Sequence, residues 1–176
     1  HIKMIKDIPW AGETMESKGQ WEPEIEMRIP AGSEYVDPKP PKSNHFCNVV
    51  VFHKASRTIF NDDNLMVFND PGFLLRMFGI KDGDVIFHPS IKGPGLNPTP
   101  EAPLEYKKWI LQMLIDWDFD NLVTAHNGNQ IGGAKQKIEA LLNKSEKLFA
   151  KIRKQNCDKA GKKDCGAWGD DKDGHE

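Results

Sequence analysis

The apolar positions of this chain fall into short runs divided by polar turns, and sustained helical spacing enters only in the second half. Residues 24–29, Glu-Ile-Glu-Met-Arg-Ile, alternate polar and apolar side chains, the mark of a half-buried strand. Phe46-Cys-Asn-Val-Val-Val-Phe52 is β-branched and nearly all apolar, which predicts a strand covered on both faces. His53-Lys-Ala-Ser-Arg57 reads as a polar turn, and Thr58-Ile-Phe60 resumes the apolar pattern, so the two strands form a hairpin. The second strand ends in Asn61-Asp62-Asp63-Asn64, residue types that favour a loop.

Further along, residues 73–78 have helical spacing with Gly79 as a stop, and Val85-Ile-Phe87 predicts another short strand. Pro103 suits the first turn of a helix over 104–117, where Trp109, Met113 and Trp117 form a stripe read as core. Asn121-Leu-Val-Thr-Ala125 predicts a strand, and one long helix is expected from 133 to 154 with Ile138, Leu141, Leu142, Leu148, Phe149 and Ile152 on a single stripe. Residues 1–155 therefore read as one α/β domain. The remainder, 156–176, is rich in Gly, Lys and Asp, carries the lone aromatic Trp168, and is expected to be a polar, flexible tail.

Composition narrows the function classes. Among 176 residues, 24 Lys and Arg offset 26 Asp and Glu for a net charge of −2, which supports neither nucleic acid nor an anionic membrane as the partner. No apolar run is long enough to span a bilayer, and residues 1–10 lack the apolar centre of a signal peptide. Three cysteines are too few for a disulfide framework and favour a reducing, cytoplasmic setting. Cys47 reads as a core thiol, whereas Cys157 and Cys165 are spaced to close a small loop, which also admits a secreted module stapled there.

The candidate chemistry sits at strand ends. Asp62 and Asp63 follow the hairpin and can point carboxylate oxygens at a cation or bond their own backbone. His126 closes the strand at 121–125 beside Asn127-Gly128; a neutral imidazole there can ligate zinc, or simply occupy a surface loop. His45 follows the stiff loop built by Pro38, Pro40 and Pro41. His53 and Arg57 bracket the hairpin turn, where Arg57 either binds an anionic group, pairs with a neighbouring acid or faces solvent, and His88 has no partner that sequence can name.

Taken in order, Asn44-His45-Phe46, Phe60-Asn-Asp-Asp-Asn-Leu65 and Leu122-Val-Thr-Ala-His126-Asn-Gly128 resemble the last three metal motifs of the metallo-β-lactamase superfamily. Trp21-Glu-Pro-Glu-Ile-Glu26, the hairpin from Phe52 to Thr58 and Trp117-Asp-Phe-Asp120 bring the chain closest to an uncharacterised branch of it. The resemblance spans roughly residues 21–142. It implies a layered α/β sandwich, about half of the superfamily's αββα fold, with a mainly antiparallel sheet and flanking helices. It also implies His45, Asp63 and His126 as metal positions, Asp62 being the alternative to Asp63. The superfamily's principal His-x-His-x-Asp-His motif is absent, and His1 is the only histidine ahead of His45. The expectation is a hydrolase-like protein of unknown small-molecule substrate with an incomplete metal site, zinc being weakly bound or absent. It would be completed by a missing N-terminal half or an oligomer partner. The alternative is a non-catalytic binding or scaffold protein on the same fold.

Overall fold

The structure is a computed structural model, and it describes residues 14–35, 49–162, 164–166 and 168. His45, Cys47 and the proline-rich loop lie outside the described residues. A short helix α1 (Thr14–Ser17) leads to strand β1 (Ile25–Arg28), followed by the hairpin of β2 (Val50–His53) and β3 (Thr58–Asn61). Then come β4 (Leu65–Phe68), α2 (Phe73–Met77), β5 (Asp84–Phe87), α3 (Ala102–Asp116), β6 (Asn121–Thr124), β7 (Asn129–Gln130), α4 (Ala134–Lys144) and α5 (Glu146–Lys159).

Two sheets result. The larger runs β1-β2-β3-β6-β7, and β4 pairs with β5 in a separate ribbon. Within the larger sheet β3 and β6 are parallel, while β1–β2, β2–β3 and β6–β7 are antiparallel. The class is thus α/β with a mixed sheet and flanking helices, and the parallel pair is an addition to the expected antiparallel pattern. It arises because the chain leaves β3 and makes β4, α2, β5 and α3 before returning as β6, long enough for a crossover.

Alternation along the strands decides which face meets the helices. Phe52, Ile59 and Leu122 are in register across β2, β3 and β6 and are buried. They share one core with Tyr106, Ile110, Met113 and Trp117 from the α3 region, Ile138 and Leu142 from α4, and Phe149 and Ile152 from α5. Phe52 stacks on Trp117 at 5.3 Å between ring centroids, and Trp117 Nε1 donates to Glu26 Oε2 at 2.8 Å. The stripe of Met113 and Trp117 is core, as expected, with Trp109 packed partly buried against it. On the opposite face Met27, Val51, Phe60 and Val123 are also in register but only partly covered.

Three expectations are corrected. The single helix over 133–154 is two helices that meet at Ser145, where the buried side-chain hydroxyl donates to Leu141 O at 2.8 Å. A serine that bonds the preceding turn competes with the helical ladder, and the bend here lets both segments pack on α3. Residues 65–68, where no element was expected, form β4, because pairing with β5 supplies the partner that the short run needs. The tail expected from 156 begins inside α5, and there Asn156 and Cys157 are buried. Asn156 Nδ2 donates to Thr99 O at 2.9 Å, Cys157 is disulfide-bonded to Cys165, and the Trp168 ring stacks on Phe149 at 6.1 Å. Average composition of that stretch hides the few side chains that fasten it. Among the described residues no helix is long and apolar enough to cross a membrane.

Candidate metal centre

The parallel pair builds the site. The register of β3 with β6 ends at Asn61 opposite Thr124, so the segments that follow leave from the same end of the sheet. Asp62 and Asp63 come after β3, and Ala125 and His126 come after β6. Carboxyl ends of neighbouring parallel strands are where open α/β sheets gather ligands. Because Val51 pairs with Phe60 antiparallel, β2 begins at this end of the sheet as well.

Local hydrogen bonds fix both loops. Asn61 Oδ1 accepts from Leu65 N at 2.8 Å, which closes the Asp62-Asp63-Asn64 turn against the start of β4. The Tyr106 hydroxyl donates to Asn64 Oδ1 at 3.5 Å, and complete burial pushes that phenol far above its ordinary pKa, so it stays protonated. On the other side Asn127 adopts φ 73°, a left-handed turn that asparagine tolerates. Thr124 Oγ1 lies 2.7 Å from His126 O and 2.6 Å from Gly128 O, its single proton shared between them. Asn69, at the end of β4, holds the turn from outside: its Oδ1 accepts from Asn129 N at 2.7 Å. A Cβ on Gly128 would fall 2.0 Å from that same oxygen, so only glycine fits.

His126 Nε2 stands 4.0 Å from Oδ1 of Asp62 and 4.0 Å from Oδ1 of Asp63. One ligand atom from each of the three lies within 4.8 Å of the others. The Asp63 side chain is 5% exposed, Asp62 47% and His126 65%, so Asp63 forms the floor and the other two form a rim open to solvent. Two carboxylates and an imidazole suit zinc or another first-row divalent ion. Atoms bound tetrahedrally to one zinc at about 2.1 Å lie about 3.4 Å apart. The cluster is wider than this by a margin that rotation of the exposed Asp62 and His126 can close, so the residues present fit such an ion.

Asp63 and His126 are therefore neighbours, while His45 lies outside the described residues. Asp62, weighed in the sequence as an alternative to Asp63, joins the cluster beside it. The remaining candidates serve turns. His53 lies at the other end of β2, where its Nδ1 is 2.7 Å from Ser56 Oγ. His88 bonds Ser90 Oγ at 2.6 Å and caps the turn that follows, and Arg57 pairs with Asp118 at 2.9 Å. Sequence reasoning gave no role to Asn69 and Thr124 and named Asn61 only as a loop former, whereas all three bond the loops beside the cluster. Only Asn61, directly ahead of the Asp pair, carried a local signal as a turn-forming residue. No family model, no curated protein and no solved structure matches this chain.

Proposed function

We propose that this chain carries part of the metal centre of a metallo-β-lactamase-type hydrolase, with Asp63 and His126 as ligands and Asp62 beside them. The observation that carries the reading is the convergence of Asp62, Asp63 and His126 within 4.8 Å at the ends of adjacent parallel strands. The ordered motifs in the sequence support it independently, as does the partly exposed apolar row of Met27, Val51, Phe60 and Val123. Such a row suits a sheet that forms one layer of a larger sandwich. His45 is the proposed further ligand, since it precedes β2 by a few residues and β2 starts at the site's end of the sheet.

A bound divalent cation supplies Lewis acidity and lowers the pKa of water. Within this chain, Asp63 would supply a buried carboxyl ligand and His126 an imidazole nitrogen on a braced turn. Asp62, at the solvent rim, is placed to hold a cation or accept a proton. Three ligand-type side chains are the minimum for a catalytic zinc site, and such sites also need an ordered supporting shell. That arithmetic favours weak binding by the chain alone, and it keeps a binding or scaffold role on a degenerate metallo-hydrolase fold as the second reading.

Calorimetric titration with zinc of the native chain and of Asp63→Ala and His126→Ala separates the two. Binding that is lost in both variants supports the metal centre. Binding that neither substitution alters supports the scaffold.

A further inference from the structure

The turn that carries His126 also carries the one Asn-Gly step of the chain, Asn127-Gly128. Asn127 is exposed, and its side chain makes no hydrogen bond among the described residues. The braces on the turn grip main chain instead: Thr124 Oγ1 faces His126 O and Gly128 O, and Asn69 Oδ1 accepts from Asn129 N. Gly128 has to be glycine, since a Cβ there would fall 2.0 Å from Asn69 Oδ1. The residue that follows the free carboxamide therefore lacks the side chain that would crowd an approach to its nitrogen. Asn127 itself sits at φ 73°, with Gly128 N donating to His126 O at 3.0 Å, a tight left-handed turn of the strained kind. Neighbouring asparagines differ on both counts. Asn61, Asn69, Asn121 and Asn129 each hold a hydrogen bond through the side chain, and each precedes a residue with a Cβ.

We propose that Asn127 is a site of spontaneous deamidation, a covalent modification that needs only water. Gly128 N attacks Asn127 Cγ, and a C–N bond forms. The side-chain nitrogen leaves as ammonia, taking the proton that Gly128 N gives up, and a cyclic imide remains. Water then opens the imide at either carbonyl, which yields an aspartyl or an isoaspartyl residue. The isoaspartyl product routes the main chain through the former side chain and adds a methylene before Gly128, which relaxes the tight turn. Either product sets a carboxylate directly after His126, whose Nε2 is 4.0 Å from both Asp62 and Asp63. The reaction stands apart from the metal-centre reading; on that reading, its consequence is one more anionic group at the rim of the cluster.

Incubation of the native chain in metal-free, mildly alkaline buffer, sampled over days, tests the proposal. Trypsin releases residues 109–135 as one peptide that contains Asn121, Asn127 and Asn129, so fragmentation in a mass spectrometer compares them within one molecule. Loss of the amide at Asn127 alone is expected, and part of the product should accept a methyl group from an isoaspartyl methyltransferase. Asn127→Gln, whose longer side chain closes a less favourable ring, should stay unmodified. A native chain that keeps the Asn127 amide overturns the proposal, and conversion of the urea-unfolded chain would then show that the fold shields the step. Equal conversion of Asn121 or Asn129 overturns it as well, since the turn would confer nothing. No metal enters the measurement, so a failure of the metal-centre reading leaves its outcome unchanged.

Discussion

Asn69 occupies the space that a side chain at position 128 would need: a Cβ on Gly128 would come within 2.0 Å of Asn69 Oδ1, the atom that also accepts from Asn129 N. Two residues before that glycine stands His126. The turn that carries His126 is therefore positioned by a contact with the residue after β4 and not by its own strand alone.

Gly128→Ala should cost about 1–3 kcal/mol of stability through this overlap. Asn69→Ala removes the obstructing oxygen, so the double variant should be more stable than the sum of the single losses predicts. Chemical denaturation of the four proteins measures the coupling; strict additivity would show that the turn gives way without consequence.

Zinc should bind the native chain weakly, and both Asp63→Ala and His126→Ala should abolish the binding. Because a proton competes with the metal for an imidazole nitrogen, affinity should fall on acidification. Titrations at several pH values check this. Tight stoichiometric binding would mean that the supporting shell is better ordered than three ligands imply.

The segment beyond Asn156 should matter for stability. The Cys157–Cys165 bond closes a short loop, and its removal by Cys165→Ser should cost about 2–3 kcal/mol in the chain-entropy account. Trp168→Ala should also lower the melting temperature, since its ring covers Phe149 and its Nε1 donates to Glu146 Oε2 at 2.7 Å. An unchanged melting temperature in both variants would return this segment to the role of a tail.

Acid should weaken the same contact. Burial alone would raise the Glu146 pKa, but hydrogen bonds from Lys107 and Trp168 and the Lys107 charge outweigh it, and the carboxyl sits below its ordinary value near 4.5. A depressed folded pKa contributes stability that is fully present above the unfolded value and lost as pH falls through the folded one. Glu26 is lowered in the same sense, its burial outweighed by Lys54, Trp117 and Arg28. Glu146→Gln should lower stability at neutral pH and converge on the native chain in acid, which flattens the acid limb of the stability profile. Melting curves between neutral pH and the acid range give the readout, and parallel profiles for the two proteins would discard the linkage.

By itself the sequence located strands over 24–29, 46–52, 58–60 and 121–125, where the structure has Ile25–Arg28, Val50–His53, Thr58–Asn61 and Asn121–Thr124, because alternation and β-branched runs are local signals. It also marked His45, Asp63 and His126, with Asp62 as the alternative to Asp63, through the order of the motifs they share with a known superfamily; His45 lies outside the described residues. Tertiary structure alone decided that β3 and β6 run side by side, which no local pattern encodes, and that adjacency converts two distant loops into one cluster. It also decided the bend at Ser145, the attachment of Trp168 and the outward apolar face of α2. Each depends on packing that periodicity does not encode: Leu142 and Phe149 meeting in one core, Phe149 beneath the indole, and Arg76 held by Asp70 and Pro71. Periodicity reports how a segment can be buried; only the assembled fold settles against what.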